Sequence, residues 1–194
     1  MAAIYTKRLK RELLDLQKAP PEGISVIKAE DLALWTLSMN GRYVIFRISL
    51  LINKTRITYI ILKSAYILFY ENFQTYIFLF CIGIDYSAGT LYANQRFVIQ
   101  FKFPKSYPLE SPEVIFVGSQ IPIHPHIYSN GHICLSILYD QWSPALKVST
   151  VCLSVLSMLS SCTKKEPPSD DKSYVISASK SPKDSVWDFH DESV

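Results

Sequence analysis

Residues His124 to Pro144 read HPHIYSNGHICLSILYDQWSP. This stretch holds three of the chain's four histidines and one of its four cysteines, Cys134. Pro125 and the Ser129-Asn130-Gly131 turn give it the composition of an irregular loop. Trp142-Ser143-Pro144 excludes a strand interior or mid-helix position at its end. A thiol in such a loop has three readings. It can be a small core residue, although the polar turn just before it argues against deep burial. It can be a metal ligand, since His124, His126, His132 and Cys134 form H-x-H-x5-H-x-C. Structural zinc sites, however, favour ligands two to four residues apart in a tight knuckle, and Pro125 and the polar turn leave these pairs unanchored. It can be a nucleophile, because a thiolate attacks acyl groups and a thioester stores one for transfer. A protease sets a base beside its cysteine. A thioester carrier must not hydrolyse its own intermediate, and needs instead a donor for the oxyanion formed when an amine attacks. His126 is a candidate for that donor.

Working outward, Phe97, Ile99, Phe101 and Phe103 alternate with Arg96, Gln100 and Lys102, which predicts a half-buried strand. Pro104, Pro108 and Pro112 mark loops around Tyr107, and Val114–Val117 reads as a short buried strand. Downstream, residues 150–161 predict a helix whose apolar positions fill more than half its circumference, with Ser149 as N-cap. Pro167-Pro168 ends helical possibilities, and residues 166–194 are expected to form a flexible polar tail. Upstream, Leu9, Leu13 and Leu16 define the apolar face of a helix over residues 4–18. Lys7, Lys10, Arg11 and Lys18 gather opposite, either as a solvated face or as a docking face for an acidic partner. Ile24–Lys28 and Leu34–Met39 read as strands, and Asn40-Gly41 as a turn. Helix, antiparallel strands, irregular loop and helix make an α+β pattern.

Residues 42–86 are different material. Ile, Tyr, Phe and Leu dominate with no period of 2 or 3.6, no proline and a single glycine, Gly83. Arg47, Lys54, Arg56, Lys63, Glu71 and Asp85 interrupt every window long enough to cross a bilayer, so a membrane span is not expected.

The 194-residue chain suits one domain and carries a formal charge of +3, too little to argue for nucleic acid. Cys81, Cys134, Cys152 and Cys162 fall at no CxxC spacing, and the N-terminus lacks the apolar region of a signal peptide. Thiols in a reducing compartment, nucleus or cytoplasm, are expected.

Several pieces together resemble the ubiquitin-conjugating enzyme family. They are KRLKRELLDLQ in the first helix, TLYANQRFVIQFKFPKSYPLESPEVIF, HPHIYSNGHICLSIL, and WSPAL with the helix behind it. The resemblance implies an N-terminal helix, a four-stranded antiparallel sheet and a long helix packed behind it. The core is then residues 1–165, interrupted by an atypical apolar insertion, 42–86, between two strands. It implies that Cys134 accepts ubiquitin as a thioester from an ATP-dependent activating enzyme, with no metal or other cofactor. Lys7, Lys10 and Arg11 match where the family meets the activating enzyme. Leu109 and Ser143, Pro144 and Ala145 match the loops that receive RING or U-box ligases.

The departures narrow the resemblance. Where the family has His-Pro-Asn, this chain has His124-Pro125-His126, as in the W-type branch, which conjugates ubiquitin to α-amino groups of flexible substrate N-termini. An α-amine, of pKa about 7.7–8.0 against about 10.4 for lysine, is already partly deprotonated near neutrality. It has less need of the acidic residue that lysine-directed members place where Ser136 stands. Trp187 matches an aromatic residue of the W-type tail that handles such substrates. The competing expectation is a non-catalytic variant of the same fold that only binds ubiquitin or partners. Residues 42–86 begin and end sharply and resemble translated intron more than an evolved module.

Overall fold

The computed structural model describes residues 2–40, 46–52, 55–61, 90–187 and 189. Two compact units result, one formed by Met1–Tyr43 with Thr90–Val194, the other by Val44–Gly89.

The larger unit begins with helix α1, Ala2–Lys18. Leu9 and Leu16 are fully or almost fully buried on its inner face, while Lys7, Lys10 and Arg11 are exposed. Strands β1 (Ile24–Asp31) and β2 (Leu34–Asn40) follow as a hairpin. They join β5 (Arg96–Lys102) and β6 (Glu113–Val117) in one antiparallel sheet of order β1-β2-β5-β6. β2 pairs with β5 along its whole length, from Leu34↔Lys102 to Asn40↔Arg96. Side chains in a strand alternate between faces, so one face carries Trp35, Leu37 and Met39 opposite Phe101, Ile99 and Phe97, with Phe116 and Val114 beyond. All of these are buried. Burying each large apolar side chain is worth about 1.5–3 kcal/mol, and this shared face is what sets the register.

Helix α2, Val148–Ser161, buries Val148, Val151, Cys152, Val155, Leu156, Met158 and Leu159. Its N-cap residue is Lys147, and Ser149 lies within the helix, contrary to the expectation from sequence. The reason is Glu12. This carboxylate, itself buried, accepts from the Val148 N–H at 2.8 Å and from the Tyr107 hydroxyl at 2.8 Å, and pairs with Arg8. A side chain of α1 thus satisfies one of the open donors that begin α2. Arg8 adds a bond to the Leu146 carbonyl at 2.8 Å.

The tail also departs from expectation. Helix α3, Asp171–Ser177, forms beyond Pro167-Pro168, and a short 3-10 turn, Pro182–Asp184, follows it. The two prolines precede the helix and so interrupt none of its bonds, and Asp171 lies in its first turn, where a negative charge is favourable.

The smaller unit contains strands β3 (Phe46–Ile52) and β4 (Thr55–Ile61), paired antiparallel from Phe46↔Ile61 to Ile52↔Thr55. The apolar segment therefore has regular structure that its aperiodic pattern did not predict. Its β-branched and aromatic content favours extended backbone whether or not apolar positions alternate. Residues 62–86, Cys81 among them, lie outside the described residues.

Candidate active site

The loop from His124 to Cys134 is folded back on itself and hung from the sheet edge. Isolated bridges pair His124 with Ile127 and Ile127 with Ile133, and a third joins His132 to Ile115 of β6. The Cys134 N–H donates to the His126 carbonyl at 2.9 Å, and the Tyr128 N–H to the His132 carbonyl at 2.9 Å. Gly131 makes the turn. Its φ is +90°, and a Cβ there would lie 2.0 Å from the Phe116 carbonyl oxygen, so the position requires glycine. The Phe116 N–H donates to the Gly131 carbonyl at 2.9 Å, which fixes the loop against β6.

His124 is fully buried. Its Nδ1 accepts from the His126 N–H at 3.0 Å, so the proton sits on Nε2, which donates to the Met158 carbonyl at 3.2 Å. Burial, reinforced by neighbouring His126, holds this imidazole down at about 4, and the ring is neutral at physiological pH. With both nitrogens committed to the main chain, it has no lone pair left for a metal. His132 is likewise engaged, its Nδ1 lying 2.9 Å from the Tyr174 hydroxyl. Among the described residues, no three His, Cys, Asp or Glu side chains are grouped to hold a metal ion.

Cys134 and His126 are both 8% exposed and line the same cavity of about 650 Å³. Pro125 and Tyr128 form its loop side, and Glu166–Asp170, Tyr174, Val186 and Trp187 form its tail side. Cys134, Cys152 and Cys162 are all thiols, but only Cys134 opens on this cavity. Cys152 is wholly enclosed in α2, and burial pushes its thiol up to about 12.

Of the aromatic side of the cavity, the sequence points to Trp187 alone and not to Tyr128, Tyr139 or Tyr174. Tyr128 and Tyr174 lie with ring centroids 4.0 Å apart, and Trp187 sits 5.8 and 5.5 Å from them. Trp187 also packs on Tyr139 at 5.1 Å, as does Phe189 at 5.7 Å. The polar ends of these rings are tied off. The Tyr128 hydroxyl donates to Asp170 at 3.0 Å, Tyr139 to the Ile133 carbonyl at 2.8 Å, and Trp187 Nε1 to the Pro182 carbonyl at 2.9 Å. Burial raises Tyr128, Tyr139 and Tyr174 above their ordinary value of 10. Asp171 binds the loop as well, accepting from the Ser129 N–H at 2.7 Å. Ser136 is buried.

Two further surfaces contain expected residues. Lys7, Lys10 and Arg11 stand exposed on α1. Leu109 is 71% exposed, and Ser143, Pro144 and Ala145 are exposed nearby. Trp142 Nε1 donates to the Pro108 carbonyl at 2.8 Å, joining the two loops into one surface.

The family model described as "Ubiquitin-conjugating enzyme" matches residues 63–189. The chain belongs to the ubiquitin-conjugating enzyme family. Relatives described as W type are close in sequence. A probable ubiquitin-conjugating enzyme E2 W of Dictyostelium discoideum is 44% identical over the whole of both chains. Ubiquitin-conjugating enzyme E2 W of Caenorhabditis elegans is 60% identical over 113 residues, covering 58% of this chain and 74% of its own. The crystal structure of the ubiquitin-conjugating enzyme UbcA1 from Agrocybe aegerita superposes with a TM-score of 0.67 at 32% identity, covering 93% of this chain and 99% of that one. This chain is thus an enzyme of ubiquitin conjugation, similar to the W type, and its sheet and helices have the fold of that family. Membership implies ubiquitin, an activating enzyme and ubiquitin ligases as its general partners.

Proposed function

We propose that Cys134 carries ubiquitin as a thioester and passes it to α-amino groups of flexible protein N-termini. The observation that carries this reading is the cavity in which Cys134 and His126 lie side by side, walled by the aromatic residues of the tail. In the first step, the Cys134 thiolate attacks the ubiquitin thioester held by the activating enzyme. The new C–S bond forms, the old one breaks, and the activating enzyme's thiolate leaves. In the second, the neutral α-amine attacks the Cys134 thioester. The His126 imidazole donates a hydrogen bond to the developing oxyanion. The C–S bond then breaks, and the amine's proton leaves so that an amide and the Cys134 thiol result.

The exposed basic face of Lys7, Lys10 and Arg11 receives the activating enzyme. Leu109 with Ser143, Pro144 and Ala145 receives a RING or U-box ligase. Trp187 contributes to the acceptor side of the cavity. The protein acts in the nucleus and cytoplasm.

Incubation with activating enzyme, ATP and ubiquitin tests the first step. Wild type gives a reductant-sensitive ubiquitin adduct, and Cys134→Ser a longer-lived ester that survives thiols. Charging that persists after Cys134 is replaced by alanine would move the nucleophile elsewhere, and no charging at all would favour a binding-only role. Acetylating a peptide acceptor's α-amine tests the second step. Transfer is expected to stop while charging continues; undiminished transfer would make the enzyme lysine-directed.

A further inference from the structure

Beyond α3, the tail is attached to the rest of the protein at two places. The first is the aromatic contact of Trp187 at the cavity. The second lies in the loop that carries Leu109. Lys183 Nζ bonds the Glu110 carboxylate at 3.2 Å and also the Ser111 carbonyl. Glu110 is held in place by the Ser106 hydroxyl at 2.6 Å. Ser181 adds a bond to Glu113 at the start of β6. Next to Lys183, Pro182 is buried, and its carbonyl accepts from Trp187 Nε1, so Lys183 and Trp187 are parts of one compact turn.

From this we infer that Ser181–Trp187 is a strap joining the Leu109 loop to the Cys134 cavity. A partner that docks on Leu109 and presents a cationic side chain to Glu110 displaces Lys183. The turn then loosens, Trp187 leaves Tyr128 and Tyr174, and the cavity opens. The geometry favours such a partner because the most exposed apolar side chain on that loop, Leu109, stands next to a carboxylate whose present cation comes from the strap itself. An acidic residue in the partner would instead meet Glu110 unfavourably. The strap makes occupancy of one surface felt at another through two discrete positions of a short segment. Its meaning for ubiquitin transfer rests on the Cys134 assignment above, whereas its existence does not.

The test follows alkylation of Cys134 in the full chain by a bulky maleimide. Peptide mapping separates Cys134 from Cys81, Cys152 and Cys162, and thermal midpoints confirm that each variant is folded. Trp187→Ala is expected to react several-fold faster than wild type and sets the rate of the open cavity. Lys183→Met removes both bonds of the anchor while keeping the aliphatic stem, and is expected to approach that rate. Lys183→Arg, which retains the donors, is expected to react as wild type does. A wild-type rate for Lys183→Met, or for Trp187→Ala, overturns the strap. In a second arm, a RING domain that binds the wild-type chain is added in excess. It is expected to accelerate alkylation of wild type and to have no further effect on Lys183→Met. Binding without acceleration overturns the coupling to the partner. If Cys134 were not the nucleophile, charging of Cys134→Ala would reveal that separately, leaving the alkylation result standing.

Discussion

His124 caps the end of α2 through its bond to Met158. That carbonyl lies in the last turn of the helix, where main-chain acceptors lack intrahelical partners, and the Ser161 hydroxyl shares it at 3.1 Å. The imidazole that fills this place must be neutral at Nδ1 to accept from His126. Its protonation therefore opposes the folded state.

Stability is expected to depend on pH accordingly. An unfolded histidine titrates near 6.5, while burial holds His124 at about 4. Between those values the unfolded chain binds more protons, so stability rises with pH. The contribution is complete above about 6.5 and is lost as pH falls to about 4, amounting to about 3 kcal/mol. His132, also lowered by burial, adds a slope of the same sign. Urea midpoints at pH 7.5 and 4.5 measure it. A His124→Gln variant should be less stable at pH 7.5 but flatter across the range. An equal slope in that variant would assign the effect elsewhere.

Replacing Glu12 by alanine should cost about 3 kcal/mol. The substitution strands the Val148 N–H and Tyr107 hydroxyl and leaves the half-buried Arg8 guanidinium without its carboxylate, holding only the Leu146 carbonyl. Glu12→Gln, which keeps an acceptor oxygen, should cost less. Equilibrium unfolding of both variants reads the difference, and a loss below about 1 kcal/mol for alanine would show that water replaces the carboxylate.

At Gly131, alanine combines a disfavoured φ with a backbone collision at Phe116. The expected loss is at least about 2 kcal/mol, accompanied by slower charging because the loop positions Cys134. A variant that unfolds normally yet charges at the wild-type rate would mean that the loop adapts without moving the thiol.

The cysteines should separate by reactivity. Burial raises the Cys152 thiol to about 12, leaving almost no thiolate near pH 8. Iodoacetamide should therefore spare Cys152 in the folded protein and modify it in urea, as read by peptide mass. Labelling of Cys152 in the native state would reveal opening of α2.

We also propose that residues 42–86 are absent from the mature protein. β2 and β5 pair in full register up to Asn40↔Arg96, and Val44–Gly89 forms a separate unit. Sequencing the spliced message decides the matter, and codons 42–86 in it would sink the proposal. A chain lacking those residues should fold and charge.

Much of the core was legible because alternation and helical spacing report directly on burial. The alternation of Phe97, Ile99 and Phe101 predicts one strand face, and all three are buried on it. The spacing of Leu9 and Leu16 predicts the inner face of α1, where both are buried. Glu12 was not legible. It sits on the buried face of the same helix, and the partners that make its burial tolerable come from Tyr107 and Val148, far along the chain. The tail departs from its polar composition for a related reason. A polar composition signals disorder when a segment has nothing to dock on, but Asp170, Asp171, Tyr174 and Trp187 find partners on Tyr128, Ser129, His132 and Tyr139. The loop of Cys134 was recognisable by its residues, while the cavity beside it depended on this docking.

The Glu12 clasp has a consequence for synthesis. Its carboxylate and the Val148 amide are 136 residues apart in this chain, and they stay distant in sequence when residues 42–86 are left out. While the chain is being made, α1 emerges first, carrying an acidic residue on its apolar side that has no amide to meet until translation has passed Val148. Folding is therefore expected to be late and dominated by distant contacts rather than progressive from the N-terminus, with a correspondingly slow rate. Nascent chains that stop short of α2 should remain unfolded and available to chaperones.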